Sequence, residues 1–320
     1  MRSIVIPSLA LAMATALVAP AVAANPTLST VRPIGAQRGK EIEVQIGGAR
    51  LGDSPEILLY YPGIEVKQLE ATADNRLKAT LAIDAKCRPG IHALRVRTAS
   101  GISNLQTFMV GVLPDAEEKE PNNDFAEPQP IDFNVTVNGV VQAEDVDYFV
   151  VEAKKGQPIT AEVEGIRLGT TFFDPYVAIL DMRRFELSVS DDDSLVWQDG
   201  IASIIAPEDG KYVIQVRETS FGGNGACVYR LHVGDYPRPK AALPTGGKPG
   251  QTLDIQYLGD VSGPFTQKLT IPTDVPRMFG LFPETAKGMP PSPVPFRISD
   301  LDNYLEQEPN NELAQGSPAA

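Results

Sequence analysis

With 320 residues, 42% of them hydrophobic and 22% charged, the chain has a globular rather than a disordered composition and room for two or three domains. A formal charge of -13 repels nucleic-acid phosphates and anionic lipid, so neither is an expected partner, whereas an acidic chain suits a divalent cation. Two cysteines, Cys87 and Cys227, exclude a disulfide scaffold; they fall in different modules, so a bridge between them is not the expectation, and Cys227 reads as a small apolar core residue.

Residues 1–23 begin with the positive Arg2, continue apolar, and end Ala21-Val22-Ala23. This is the pattern of a secretory signal peptide cleaved after Ala23. No later segment approaches about 18 uninterrupted apolar residues, so no membrane insertion is expected after cleavage. The expected location is secreted, periplasmic or cell-surface.

The rest reads as strand and turn. Lys40–Ile46, Arg76–Ile83, Ile91–Thr98, Tyr212–Val216 and Val228–Val233 alternate apolar with polar residues, which puts one face in a core and the other in water. Pro62-Gly63, Pro89-Gly90, Asp209-Gly210 and Pro249-Gly250 punctuate them as turns. Short strands at this spacing predict an all-β fold of tandem β-sandwiches, with no long amphipathic helix.

An internal repeat sets the domain plan. Gly35 to Gln45 (GAQRGKEIEVQ) matches Gly246 to Gln256 (GGKPGQTLDIQ), and Glu118 to Asn123 (EKEPNN) matches Glu306 to Asn311 (EQEPNN). The order is therefore a first module at 25–113, a second at 118–235, a copy of the first at 240–305, and the opening of a second copy of the second module at 306–320. The last stretch is too short for a sandwich, so the chain is expected to be a fragment of something longer.

In the first module, Val31-Arg-Pro33-Ile-Gly35, Ile46-Gly-Gly48-Ala-Arg-Leu51 and Pro89-Gly90-Ile-His-Ala-Leu-Arg-Val resemble an immunoglobulin-like domain of the IPT/TIG sort. The second module carries a more specific ordered set: Glu120-Pro-Asn122-Asn123-Asp124, Gly139, Asp145-Val-Asp147-Tyr148-Phe149, Lys155-Gly156-Gln157, Asp174-Pro175, Pro207-Glu-Asp209-Gly210-Lys-Tyr212 and Tyr229-Arg-Leu-His-Val. This set is similar to the pre-peptidase C-terminal domain of exported bacterial peptidases. The resemblance implies a jelly-roll-like sandwich appended to other domains, binding calcium or insoluble substrates in some members.

Calcium needs six to eight oxygen ligands from more than one segment. Glu118, Glu120, Asn122 and Asn123 supply one cluster, and Asp145 and Asp147 supply a pair on one face of a strand. These six are the candidate metal ligands. The resemblance implies the same division of labour, an opening Glu-x-Glu-x-Asn segment sharing the ion with the acidic pair; relatives can carry Asp where this chain has Asn123. The alternative is a turn with Asx caps beside solvated carboxylates.

Other signals point away from chemistry. Asp191-Asp192-Asp193, with Asp199 near, reads as a solvated loop. His92 and His232 sit in strand patterns, and neither His-Glu-x-x-His nor Gly-x-Ser-x-Gly occurs, so no catalytic residue is named. Gly222-Gly223-Asn224-Gly225 reads as a flexible hairpin turn. Phe172, Phe173, Tyr176, Trp197 and Phe221 are expected to pack in the core rather than to stack on a sugar.

The expectation is an exported, non-catalytic accessory or binding protein, with modules stiffened by calcium and no other cofactor. Its expected partner is an extracellular polymer or a peptidase domain. Two alternatives stand beside it: the front portion of a longer secreted peptidase, and a carbohydrate or matrix adhesion module.

Overall fold

A computed structural model describes residues 24–275, 278–306 and 308–316. The signal-peptide reading of residues 1–23 lies outside the described residues. Among those described, no helix is long and apolar enough to cross a membrane.

The fold is all-β, as expected, and its strands form three sandwiches. The first holds β1 (Thr27–Arg32), β2 (Gly35–Gln37), β3 (Glu41–Ala49), β4 (Glu56–Leu59) and β5 (Ile64–Ala73). It continues with β6 (Arg76–Ile83), β7 (Gly90–Thr98), β8 (Gly101–Ile102) and β9 (Gln106–Gly111). Its sheets run β1-β3-β6-β5 and β2-β9-β7-β4. Val44, Ile46, Leu77, Leu81, Leu94 and Phe108 fill the space between them.

The second sandwich opens with β10 (Asp115–Glu117), β11 (Gln129–Pro130), β12 (Val135–Val140), β13 (Val146–Ala153) and β14 (Pro158–Glu164). It closes with β15 (Pro175–Leu180), β16 (Glu186–Ser190), β17 (Ile201–Ile205), β18 (Gly210–Glu218) and β19 (Val228–Gly234). Its sheets run β10-β12-β19-β14-β17 and β11-β13-β18-β15-β16. Phe149, Val151, Ile159, Val163, Ile214, Leu231 and Cys227 belong to its core, and both cysteines are free.

The third is smaller: β20 (Ala241–Leu243), β21 (Gly246–Gly247), β22 (Thr252–Leu258), β23 (Phe265–Thr270), β24 (Met278–Leu281) and β25 (Val294–Ile298). Its three-stranded sheets are β20-β22-β23 and β21-β25-β24. The repeat read from sequence is a repeat of backbone geometry. Gly39 (φ 78°) donates to the Ile83 carbonyl, and Gly250 (φ 75°) donates to that of Ile271. Glycine adopts this left-handed conformation without a Cβ clash, which is why both copies keep it.

One sheet of the second sandwich departs from the alternation rule. Every residue of β14 and β19 is buried, although Thr160, Glu162 and Glu164 point away from the core that Ile159, Ala161 and Val163 enter. The outer face expected in water on Val228–Val233 is instead covered by the neighbouring modules. Ile34 and Met109 of the first module pack on Leu168 and Val228. Arg238 from the linker donates to Glu162 Oε2 at 2.6 Å, and Ser292 of the third module donates to Glu162 Oε1.

The buried charges on this face are paired. Arg167 meets Glu162, Glu164 and Asp199, while Arg230 reaches Asp115 at 3.0 Å and approaches Glu164 Oε2 at 3.7 Å. His232 lies 3.3 Å from Glu164 Oε2 and exchanges a hydrogen bond with Thr136. Burial alone would raise the Glu164 carboxyl, but His232, Arg167 and Arg230 hold it at about 2. The first module approaches Arg230 so closely that a Cβ at Gly35 would collide with its guanidinium.

Candidate metal centre

The second sandwich gathers carboxylates at one end. Asp147 shares its side of β13 with the core residues Phe149 and Val151, so its carboxylate enters the top of the interior and is fully buried. Asp145, two residues earlier, is also buried. The Glu118–Asn123 segment folds over them, and Asn122 fixes it by accepting from the Tyr148 amide through its own carbonyl at 3.0 Å. Glu120, Asp145 and Asp147 each bring one oxygen within 4.8 Å of the others.

Asn122 completes the cluster. Its buried side-chain amide is oriented by its neighbours: the nitrogen donates to Asp147 Oδ1 at 3.1 Å and to Glu120 Oε2 at 3.0 Å, tying the two carboxylates together.

Glu118 and Asn123 have other duties. Glu118 accepts from the Tyr229 hydroxyl through Oε1 (2.6 Å) and from the Val140 amide through Oε2 (3.0 Å). Asn123 donates its side-chain nitrogen to Asp145 Oδ1. So of the six residues named from sequence, Glu120, Asn122, Asp145 and Asp147 converge, while Glu118 and Asn123 brace the others.

The cluster is short of positive charge. None of Glu118, Glu120, Asp145 and Asp147 forms an ion pair among the described residues. Burial, then the facing carboxylates of Glu118 and Asp145, push Asp147 up to about 9. Burial, with Asp145 and Glu118 adding to it, also raises Glu120. Tyr229 stands between Glu118 Oε1 and Asp147 Oδ2 (2.8 Å), and its one hydroxyl proton can serve only one at a time.

Tyr229 was not singled out as a site residue in the sequence. Its signal was Gly139, its cross-strand partner on β12. A Cβ there would stand 2.7 Å from Tyr229 Cε1 and nearer still to Cζ, so only glycine lets the phenol lie across β12. Glu118 and Tyr229 also line a cleft of about 730 Å³ between the first two modules, together with Arg32, Gln45, Glu117 and Asn138.

Several other sequence expectations are corrected. Of the Asp191–Asp193 run, only Asp191 and Asp192 are exposed; Asp193 pairs with Lys240 at 2.9 Å. Asp199 is fully buried and accepts from the Gly165 and Ile166 amides at 2.8 and 2.9 Å. Of the aromatic group, Phe173 is core, but Phe172 (73%), Trp197 (74%) and Phe221 (49%) are exposed.

No family model matches this chain, and no curated protein does. Among solved structures it is similar to PliG of Aeromonas hydrophila, a periplasmic inhibitor of g-type lysozyme (18% identity, 38% of this chain and 97% of that one, TM-score 0.26). It is also similar to the SGBP-B proteins of a mixed-linkage glucan utilization locus in Bacteroides ovatus (10% identity, 65% of this chain and 52% of that one, TM-score 0.24) and of a xyloglucan utilization locus in Bacteroides uniformis (10%, 66% and 72%, TM-score 0.24). Likenesses of this size carry no argument about function.

Proposed function

We propose that this chain is an exported, non-catalytic accessory protein whose second sandwich is stiffened by a calcium ion and whose modules present binding surfaces to an extracellular polymer or a peptidase domain. The observation that carries the calcium reading is the convergence of Glu120, Asp145 and Asp147, whose oxygens lie within 4.8 Å of one another with no cationic side chain paired to them among the described residues. Carboxylate oxygens are donors that calcium prefers. Glu120, Asp145 and Asp147 would hold the ion, and its charge would neutralise buried carboxylates that otherwise repel one another. The ion would tie the Glu118–Asn123 segment to β13 and so order the start of the module.

Export rests on the pattern of residues 1–23. The non-catalytic reading rests on the two histidines: both are buried in strands, His92 is bonded to the Arg88 carbonyl, and His232 is engaged by Glu164 and Thr136. Neither lines the cleft between the first two modules or the one between the second and third.

The test is thermal melting of the whole chain in calcium and in chelator. Calcium at a hundredfold excess over its dissociation constant should add about 2.7 kcal/mol, raising the midpoint by about 4–5 °C for a chain of this size that melts as one unit. The rise should vanish in Asp147→Ala. An equal midpoint in calcium and chelator would remove the calcium reading.

A further inference from the structure

A second cleft, of about 490 Å³, opens where the second and third modules meet. Ser188 and Ser190 on β16 and Ser203 on β17 form one wall, and these two strands are the outermost of their sheets. Asp191 and Asp192 stand on the loop that joins them. Gly259 and Val261 of the third module and Arg238 and Lys240 of the linker close the other side.

Arg238 is the unusual member. It is 3% exposed, it lines the cleft, and only its Nε has a side-chain partner, Glu162. Both terminal nitrogens lack any protein acceptor. Buried guanidinium donors are costly to leave unpaired, and such orphans mark places where another group supplies the acceptor.

The charges around the cleft narrow the ligand. Glu162 neutralises Arg238, and Asp193 neutralises Lys240, which leaves the exposed Asp191 and Asp192 uncompensated. An anionic ligand would be repelled. The wall sets the Ser188 hydroxyl, which accepts from the Ser203 amide and keeps its proton free, beside the acceptors Asp191 and Asp192, while Ser190 donates to the Asp192 carbonyl and Ser203 is engaged by Thr160. Trp197, whose carbonyl accepts from the Asp193 amide, adds an exposed indole to the same loop. Paired donors and acceptors at short range suit hydroxyl groups, each of which gives and receives one hydrogen bond, and an exposed ring suits the apolar face of a sugar.

We infer that this cleft binds a neutral oligosaccharide, with Ser188 donating to its oxygens, Asp191 and Asp192 accepting from its hydroxyls, and the buried terminal nitrogens of Arg238 becoming donors once the side chain swings toward the ligand. The site is separate from the calcium cluster and does not depend on it.

The experiment is a screen of the whole chain against short neutral oligosaccharides of glucan, xylan, mannan and chitin type, followed by calorimetry with the best of them. Binding is expected with a dissociation constant of about 1 mM or tighter. Ser190→Trp, which fills the cleft, and Asp192→Ala, which removes an acceptor, should each weaken it at least about tenfold. Both positions lie at the surface of the cleft, so the melting midpoint, read alongside, should stay unchanged. No binding by any sugar to the folded protein would overturn the inference. So would binding that both variants keep, or a basic extended peptide that binds the cleft in place of any sugar.

Discussion

Gly139 on β12 lies directly opposite Tyr229 on β19, and the missing Cβ is what allows the phenol to reach both Glu118 and Asp147. Gly139→Ala would drive a methyl group into the ring and turn the hydroxyl away from both carboxylates. The expected cost is about 1–3 kcal/mol in a denaturant melt, with weaker calcium binding measured by titration. A variant as stable as the parent would show that the ring can move without loss.

The Asp147 carboxyl gives the cation-free protein an inverted pH profile. Its ordinary value is 3.8, and in the fold it is pushed up to about 9, so the folded state holds a proton that the unfolded state releases. That contribution is complete below about pH 4 and is lost as pH rises toward 9. In chelator the melting midpoint should therefore fall between pH 5 and pH 8. Calcium replaces the proton, so its stabilisation should be larger at pH 8 than at pH 5. Asp147→Asn should flatten both trends, and a chelated parent whose midpoint rises over this range would contradict the assignment.

Glu164 works in the opposite direction. Its carboxyl is held at about 2 against an ordinary 4.5, so its stabilisation is present above about pH 4.5 and lost as pH falls toward 2. Glu164→Gln would leave Arg167, Arg230 and His232 with less buried counter-charge. A loss of about 3–5 kcal/mol at neutral pH is expected, together with a weaker acid transition. Circular dichroism during acid and urea titrations would read both.

The three modules should melt as one unit, because Glu162 is satisfied only by residues from outside its own sandwich or its short turn: Arg238, Ser292 and Arg167. Calorimetry of the whole chain should give one dominant transition. A chain ended after Asp235 lacks Arg238 and Ser292 and should unfold at lower temperature. Two or three separate transitions in the whole chain would show that the junction contributes little.

The sequence made the strands legible because alternation marks a core directly, and it made the acidic cluster legible because its members sit close together in two short segments. Tyr229 lies 111 residues from Glu118 and was hidden by distance. The outer face of β14 was hidden for a different reason. Thr160, Glu162 and Glu164 alternate with apolar residues just as solvent-facing residues do, and nothing local says that Arg167, Arg230 and Arg238 will cover them. The same limit applied to the aromatics: Phe173 and Phe172 are neighbours of like chemistry, and only the direction of each side chain separates core from surface.

The second copy of the Glu-Pro-Asn-Asn motif carries one more consequence. Asn310 donates its backbone amide to Glu308 at 2.9 Å, the bond that the Asn122 amide makes to Glu120 at 3.0 Å, and adds a side-chain bond to Glu306 at 2.6 Å. The first copy rests against Asp145 and Asp147, while the second lies exposed with no such strand beneath it among the described residues. The motif thus takes its shape from its own six residues and docks as a preformed clasp. A synthetic peptide of this stretch should hold the same bend in solution and would serve as a compact probe for any surface that offers an Asp-x-Asp strand to receive it.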